Sequence, residues 1–356
     1  MKRLGLMLLT IALCVALVGC GFWMDGDYVS VKSHLEQTIQ EGDGVIEVSS
    51  YTQLCGALSE LVDTGAPKGV ISTSSFNDGT VHFYVDTAID HITENTPIGA
   101  YAVDSITYEV GSNRGASVVA FHISYRHDRS QILRIRQVGG MEDATAAISE
   151  TMNNCDASVL LRVANYEAVN LTQFVQDYAN ENPDLVMETP IVNVSVYPDS
   201  GEERLIELTF TYQTSREMMR QMQQQVASVF TSAELYVEEA AQIRDVYSRL
   251  YSFLMERDEY TIQTSITPAY SLLHHGIGDS RAFANVFAAM CRRADLDCKV
   301  ISGTKAGEAW CWNFVRFRGK YYHVDLLQCS QSGSFQMLSD EEMVGYDWDR
   351  SVYTAN

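Results

Sequence analysis

The chain has 356 residues, with 46 acidic against 25 basic side chains and a formal net charge of −21. A surface of that sign repels nucleic acid and anionic lipid headgroups, which excludes both as partners. The length exceeds one typical domain and predicts two or three.

The first segment, MKRLGLMLLTIALCVALVGC, places Lys2 and Arg3 before an apolar run from Leu4 to Val18 and ends in Leu17-Val18-Gly19-Cys20. The run falls short of the ~20 residues a membrane-spanning helix needs, so residues 1–19 read as a secretory signal peptide. Its last four residues resemble the bacterial lipobox, in which a cysteine is acylated and becomes the new N-terminus. That resemblance implies lipidation at Cys20 and a lipoprotein anchored at the outward face of a bacterial cell membrane, part of the extracellular cell envelope. Each buried CH₂ of the acyl chains contributes about 0.8 kcal/mol to such anchoring. Residues 20–43 are polar and read as a lipid-anchored tether with one short helix.

Two similar segments follow. The first begins VIEVSSYTQLCGALSELV and ends ITYEVGSNRGASVVAFHISYR; the second begins LLRVANYEAVNLTQFVQDYA and ends IVNVSVYPDSGEERLIELTFTYQ. Each reads as a strand, a turn marked by Tyr51 or Tyr166, a helix, and a hairpin finishing on Tyr125 or Tyr212. Two copies roughly 100 residues apart predict a duplicated α+β module, residues 44–130 and 131–215, rather than a solenoid. Between its helix and its hairpin the first copy holds extra residues, FNDGTVHFYVDTAIDHITENTPIGAY; an insertion of that size suits a binding loop, but the alternation of Val81, Phe83 and Val85 reads as an added structural strand.

From Ser215 to Tyr260 the pattern is helical throughout, with a connecting helix over residues 216–235. Ile243, Val246, Tyr247, Leu250, Tyr251 and Leu254 form one buried stripe, and Met218, Met219 and Met222 read as packing residues.

The last stretch, over residues 236–356, carries the chemistry. The loop Gly276-Ile277-Gly278-Asp279 runs into Ser280 and a helix whose buried face is Phe283, Val286, Phe287 and Met290. Trp310-Cys311-Trp312-Asn313 follows on one strand and Tyr321-Tyr322-His323-Val324-Asp325 on the next. This order and spacing resemble the transglutaminase-like superfamily, whose papain-like (cysteine-protease-like) core places a cysteine at a helix start, a histidine on a strand and an aspartate on the neighbouring strand. The resemblance implies an α+β fold of two tandem small α+β modules followed by a transglutaminase-like domain. It puts the family's nucleophilic cysteine on Ser280, its histidine on Trp310 and its aspartate on Asp325, so one catalytic position of the three is kept.

Those departures have chemical weight. A serine hydroxyl is far less acidic than a thiol at a helix N-terminus and depends on a neighbouring base. An indole has an N–H donor and no basic lone pair. The expectation is a pseudoenzyme without a cofactor, a cell-surface lipoprotein serving in binding or in envelope organisation. Trp310, Trp312, Tyr321 and His323 are then its binding-cleft residues for a peptide, protein or cell-wall ligand. The alternative is a weak hydrolase or acyltransferase on peptide or cell-wall amides, with Ser280 assisted by His323, which shares a strand face with Asp325. Cys311, one residue from Trp310, is expected to point away from that cleft. Asp279 and Ser280 are both good helix caps, and capping is the expected role of Ser280.

With Cys14 in the signal and Cys20 lipidated, Cys55, Cys155, Cys291, Cys298, Cys311 and Cys329 remain. Export permits disulfides, but spacing fixes no pairing, and Cys291 meets Cys298 only if the helix ends between them. No Cys-x-x-Cys occurs, and adjacent His274 and His275 point apart, so no metal site is expected.

Overall fold

The computed structural model describes residues 44–77, 79–113, 116–240, 242–256 and 260–355. The segments expected to be a signal peptide, a lipidated Cys20 and a tether with one short helix lie outside the described residues. No helix among the described residues is long and apolar enough to cross a membrane. The described residues divide into two compact units: one takes those within 44–61, 66–89 and 104–126, the other those within 62–65, 90–103 and from His127 onward.

The expected mixture of helices and strands is borne out, and the duplication is clearer in the backbone than in the letters. The first copy runs β1 (Ile46–Glu47), α1 (Tyr51–Asp63), β2 (Lys68–Ser72), α2 (Val81–Asn95), α3 (Pro97–Ala102), β3 (Val103–Asn113) and β4 (Ala116–Tyr125). After the single turn α4 (Arg129–Ile132), the second runs β5 (Arg136–Gly140), α5 (Met141–Asn153), β6 (Ser158–Asn165), α6 (Leu171–Glu181), β7 (Ile191–Tyr197) and β8 (Arg204–Thr211). Their sheets have the same order, β1-β2-β4-β3 and β5-β6-β8-β7. In each, the first two strands are parallel and the second pairs antiparallel with the last.

This corrects the alignment of the two copies. The segment beginning at Leu160 is β6 and α6, the counterpart of β2 and α2, and the true counterpart of β1 and α1 is β5 and α5. The stretch around Val81 is therefore no insertion, and it is a helix rather than an added strand. The alternation of three residues misleads because the buried positions are Val81, Val85, Ala88 and Ile92, at helical spacing, while Phe83 is 68% exposed. The helix gives way at Thr96-Pro97, where the Thr96 hydroxyl accepts from Gly99 N and Pro97 opens α3.

The run from Ser215 onward is two helices, α7 (Arg216–Val237) and α8 (Ile243–Met255), rather than one. Ile243, at the start of α8, is half exposed and drops out of the predicted stripe, whereas Tyr247, Leu250, Tyr251 and Leu254 are buried as expected. Of the methionines, Met219 is buried and Met218 exposed. These helices share one apolar core with α9 (Pro268–His275) and α10 (Ser280–Arg293), and Cys155 and Met187 of the second copy join it. α10 also touches α6 directly, through Asn285 Nδ2 to Asn180 Oδ1 and Arg292 to Glu181 O.

Behind α10 stands an antiparallel sheet of β11 (Cys298–Lys305), β12 (Glu308–Phe317), β13 (Lys320–Val324) and β14 (Tyr346–Asp347), in the order β13-β12-β11-β14. A final short helix, α11 (Leu326–Ser332), leaves the end of β13. Gly303 in β11 is required: an added Cβ would lie 2.3 Å from Asp347 O and 2.7 Å from the Trp312 ring. The helical register of α2 is directly testable by urea unfolding. Val85→Ala is expected to cost roughly 2 kcal/mol and Phe83→Ala less than about 0.5 kcal/mol. In a strand Phe83 would share the buried face, and its truncation would be the costlier one.

Candidate functional site

The loop before Ser280 is held by two short parallel strands, β9 (Thr261–Ile262) and β10 (Ile277–Gly278). Gly276 ends α9 in the left-handed conformation, at φ 62°. Asp279 then caps α10: one carboxylate oxygen accepts from Ala282 N at 2.9 Å and the other from Thr264 Oγ1 at 2.9 Å. This corrects the expected role of Ser280, which is the first helical residue and not the cap. Its hydroxyl, nearly buried, accepts from Cys311 N at 3.1 Å and so ties the start of α10 to β12.

Alternation along β12 sorts its side chains between two faces. Asn313 reaches α10, donating to Ala284 O at 2.8 Å, and Val315 enters the core beside it. Cys311 lies on that same face, buried, with its sulfur 3.5 Å from Ser302 Oγ. The expectation that Cys311 turns away from Ser280 is therefore wrong, because the helix-facing positions of β12 are 311, 313 and 315. Between Ser280, Cys311, Asn313 and Asp325 is a small depression with no room for a water molecule.

Asp325 is the most heavily engaged side chain of the site. Its Oδ1 accepts from Leu327 N at 3.0 Å and Gln328 N at 3.1 Å, capping α11. Its Oδ2 accepts from Trp310 Nε1 at 2.9 Å, Lys305 Nζ at 3.0 Å and Tyr346 OH at 2.5 Å. Lys305 also reaches Gln328 Oε1 and lies 5.0 Å from the ring centres of both Trp310 and Tyr346, within cation–π range. Burial first, and then the bond to Asp325, push the Tyr346 phenol far above its ordinary range, so it stays a donor. Sequence reasoning missed Lys305 and Tyr346. The two are paired residues where β14 meets β11, and no local pattern announces that pairing.

The other face of β12 carries Trp312 and Phe314, packed with Ile301, Met343 and Trp348. His323 is fully buried beside them. Trp312 Nε1 donates to His323 Nδ1 at 2.9 Å; an indole can only donate, so Nδ1 is the acceptor and the proton sits on Nε2. Nε2 then donates to Asp340 Oδ1 at 2.8 Å, and Ala355 N donates to the same oxygen. Desolvation lowers the His323 pKa in spite of the Asp340 carboxylate, which keeps the ring neutral.

The structure does not assemble Ser280, His323 and Asp325 as a triad, because both nitrogens of His323 are taken by Trp312 and Asp340. Nor do Trp310, Trp312, Tyr321 and His323 form an open cleft. Trp312 and His323 are interior and Trp310 is half-buried in the same cluster. Tyr321 stacks on Phe314 at 4.9 Å and donates to Asp297. Chain 338–355, which covers this face, carries the residues that turn the expected groove into core.

The neutral His323 has a consequence for stability. Its folded pKa lies below its unfolded value of about 6.5, so below that pH the unfolded chain takes up a proton that the folded one resists. The contribution is fully present above 6.5 and is lost as pH falls toward the folded pKa. The stability advantage of the unaltered chain over His323→Gln, measured by urea unfolding, is expected to narrow from pH 7 to pH 5.

Comparison with known proteins adds to this geometry. Residues 224–326 match the family model of the transglutaminase-like superfamily, a span that takes in Ser280, Trp310 and Asp325. No curated protein matches the chain. Among solved structures, a TGase is similar at 10% identity and a TM-score of 0.27, covering 48% of this chain and 50% of that one. A putative protease from Parabacteroides distasonis ATCC 8503 is similar at 9% identity and a TM-score of 0.24, covering 72% of this chain and 39% of that one. The chain thus spans half the length of the first and less of the second. It carries a transglutaminase-like domain over residues 224–326, within a mixed helix and strand fold.

Proposed function

We propose that the transglutaminase-like domain works without catalysis. In this reading it is a rigid binding or organising element of a lipoprotein held by Cys20 at the outward face of a bacterial membrane. The observation that carries the reading is the bond from Trp310 Nε1 to Asp325 Oδ2. At the position where the family resemblance puts a histidine, an indole donates to the aspartate and offers no lone pair to take a proton. Ser280 has lost the thiol and the base together. In a catalytic unit of this kind, loss of the nucleophile or of the base alone costs on the order of 10⁶ in rate.

The remaining polar groups support the same reading. Lys305 neutralises Asp325, and the Ser280 hydroxyl accepts from the backbone N–H of Cys311 rather than facing a base. The partner is a peptide, protein or cell-wall component met outside the cell, consistent with the acidic surface and the lipobox-like Leu17 to Cys20. Fold alone does not name it.

One experiment tests both halves. Full-length chain produced in a bacterium is expected in the membrane fraction as a lipid-modified species, and Cys20→Ala is expected to release it. The detergent-purified protein is then assayed for amide hydrolysis and amine incorporation beside a Ser280→Cys, Trp310→His double variant. No turnover above background is expected from the unaltered chain. Clear activity there, abolished by Ser280→Ala, would overturn the non-catalytic reading.

A further inference from the structure

Cys291 and Cys298 sit at the two ends of the turn that joins α10 to β11. Cys291 lies two helical turns beyond Ala284, on the face that packs into the core. Leu296 N donates back to Cys291 O at 2.9 Å and Asp295 takes a left-handed φ of 56°, so the chain reverses at once and β11 opens at Cys298. Asn313 Nδ2 lies 2.8 Å from Ala284 O and 3.5 Å from Cys298 Sγ, which sets the second thiol against the surface of α10. Both thiols belong to one apolar cluster, Cys291 within it and Cys298 packed against its edge. Both are free: Cys291 is completely buried and Cys298 half-buried.

We propose that Cys291 and Cys298 form a dithiol that closes to a disulfide within the folded chain when a small disulfide oxidant is supplied, stapling the end of α10 to the start of β11. Cys298 is the thiol that solvent reaches, and burial pushes the Cys291 thiol well up, so Cys298 reacts first. Its thiolate attacks one sulfur of the oxidant, forming a mixed disulfide and releasing the first thiolate, which takes a proton from solvent. Cys291 then loses its proton and attacks Cys298 Sγ, releasing the second thiol. One oxidant disulfide is reduced to two thiols, and two protein thiols are oxidised to one disulfide. The second step needs no solvent access to Cys291, because its target sits at the edge of the same apolar cluster, across one tight turn.

The test uses the folded full-length chain with oxidised glutathione, followed by alkylation, trypsin and mass spectrometry. Cleavage after Arg281, Arg292, Arg293 and Lys299 puts the two cysteines on peptides 282–292 and 294–299. The expected product is these two peptides joined, lighter by two hydrogens than their sum. In Cys291→Ser, Cys298 is expected to stop at the glutathione mixed disulfide; in Cys298→Ser, Cys291 is expected to stay reduced. A stable mixed disulfide on Cys298 of the unaltered chain would overturn the proposal. So would pairing of either residue with another cysteine, no reaction at all, or closure only in urea.

Discussion

A buried carboxylate that must never be left unpaired governs the C-terminal domain. Asp325 is 3% exposed and accepts from two backbone N–H groups, an indole, an ammonium and a phenol. Breaking a buried ion pair by removing one partner typically costs about 3–5 kcal/mol, so its donors are retained as a set. They come from four elements: Lys305 from β11, Trp310 from β12, Tyr346 from β14 and the first turn of α11. One charge therefore fixes the meeting point of the sheet with two segments that are distant in sequence. Lys305 balances that charge between two aromatic faces, which shield the pair from water while leaving its stem to pack.

The strict alternation of β12 distributes everything else. Its helix-facing side, at 311, 313 and 315, is apolar apart from the Asn313 amide, and the Ser280 hydroxyl reaches only its backbone. Its opposite side, at 310, 312 and 314, is aromatic, and it is sealed by the last residues of the described chain. On that side the imidazole of His323 is locked in a single neutral tautomer by a donor on one nitrogen and an acceptor on the other. The depression on the helix-facing side, bounded by Ser280, Cys311, Asn313 and Asp325, has no imidazole among its lining residues to serve as a base. The geometry is that of a packed seam between helix and sheet.

Much of this was legible in the sequence where the signal was long or chemically strong. The buried face of α10 at Phe283, Val286, Phe287 and Met290 stands as read, because four large residues at helical spacing leave few alternatives. The two hairpins were legible from alternation over whole strands. The failures share a different cause. Three residues at Val81, Phe83 and Val85 satisfy a strand period by chance, and only Ala88 and Ile92 reveal the helix. Aligning the copies by their tyrosines shifted the second one by half a repeat, since side-chain identity says little where topology is what is kept. Asp279 and Ser280 are equally good caps by propensity, and the contact that decides between them, Ser280 to Cys311, spans two elements. Tyr346 was invisible for the same reason: its place beside Asp325 exists only after β14 has paired with β11.

The central claim is that Trp310 holds Asp325 as a structural charge, and a double-mutant cycle measures that bond most directly. Trp310→Phe, Asp325→Asn and the combined variant are compared with the unaltered chain by urea unfolding at pH 7. A coupling energy of about 1.5–3 kcal/mol is predicted, the usual size for a hydrogen bond to a charged group. Effects that add to within about 0.3 kcal/mol would mean that the indole does not hold the carboxylate, and would contradict this account.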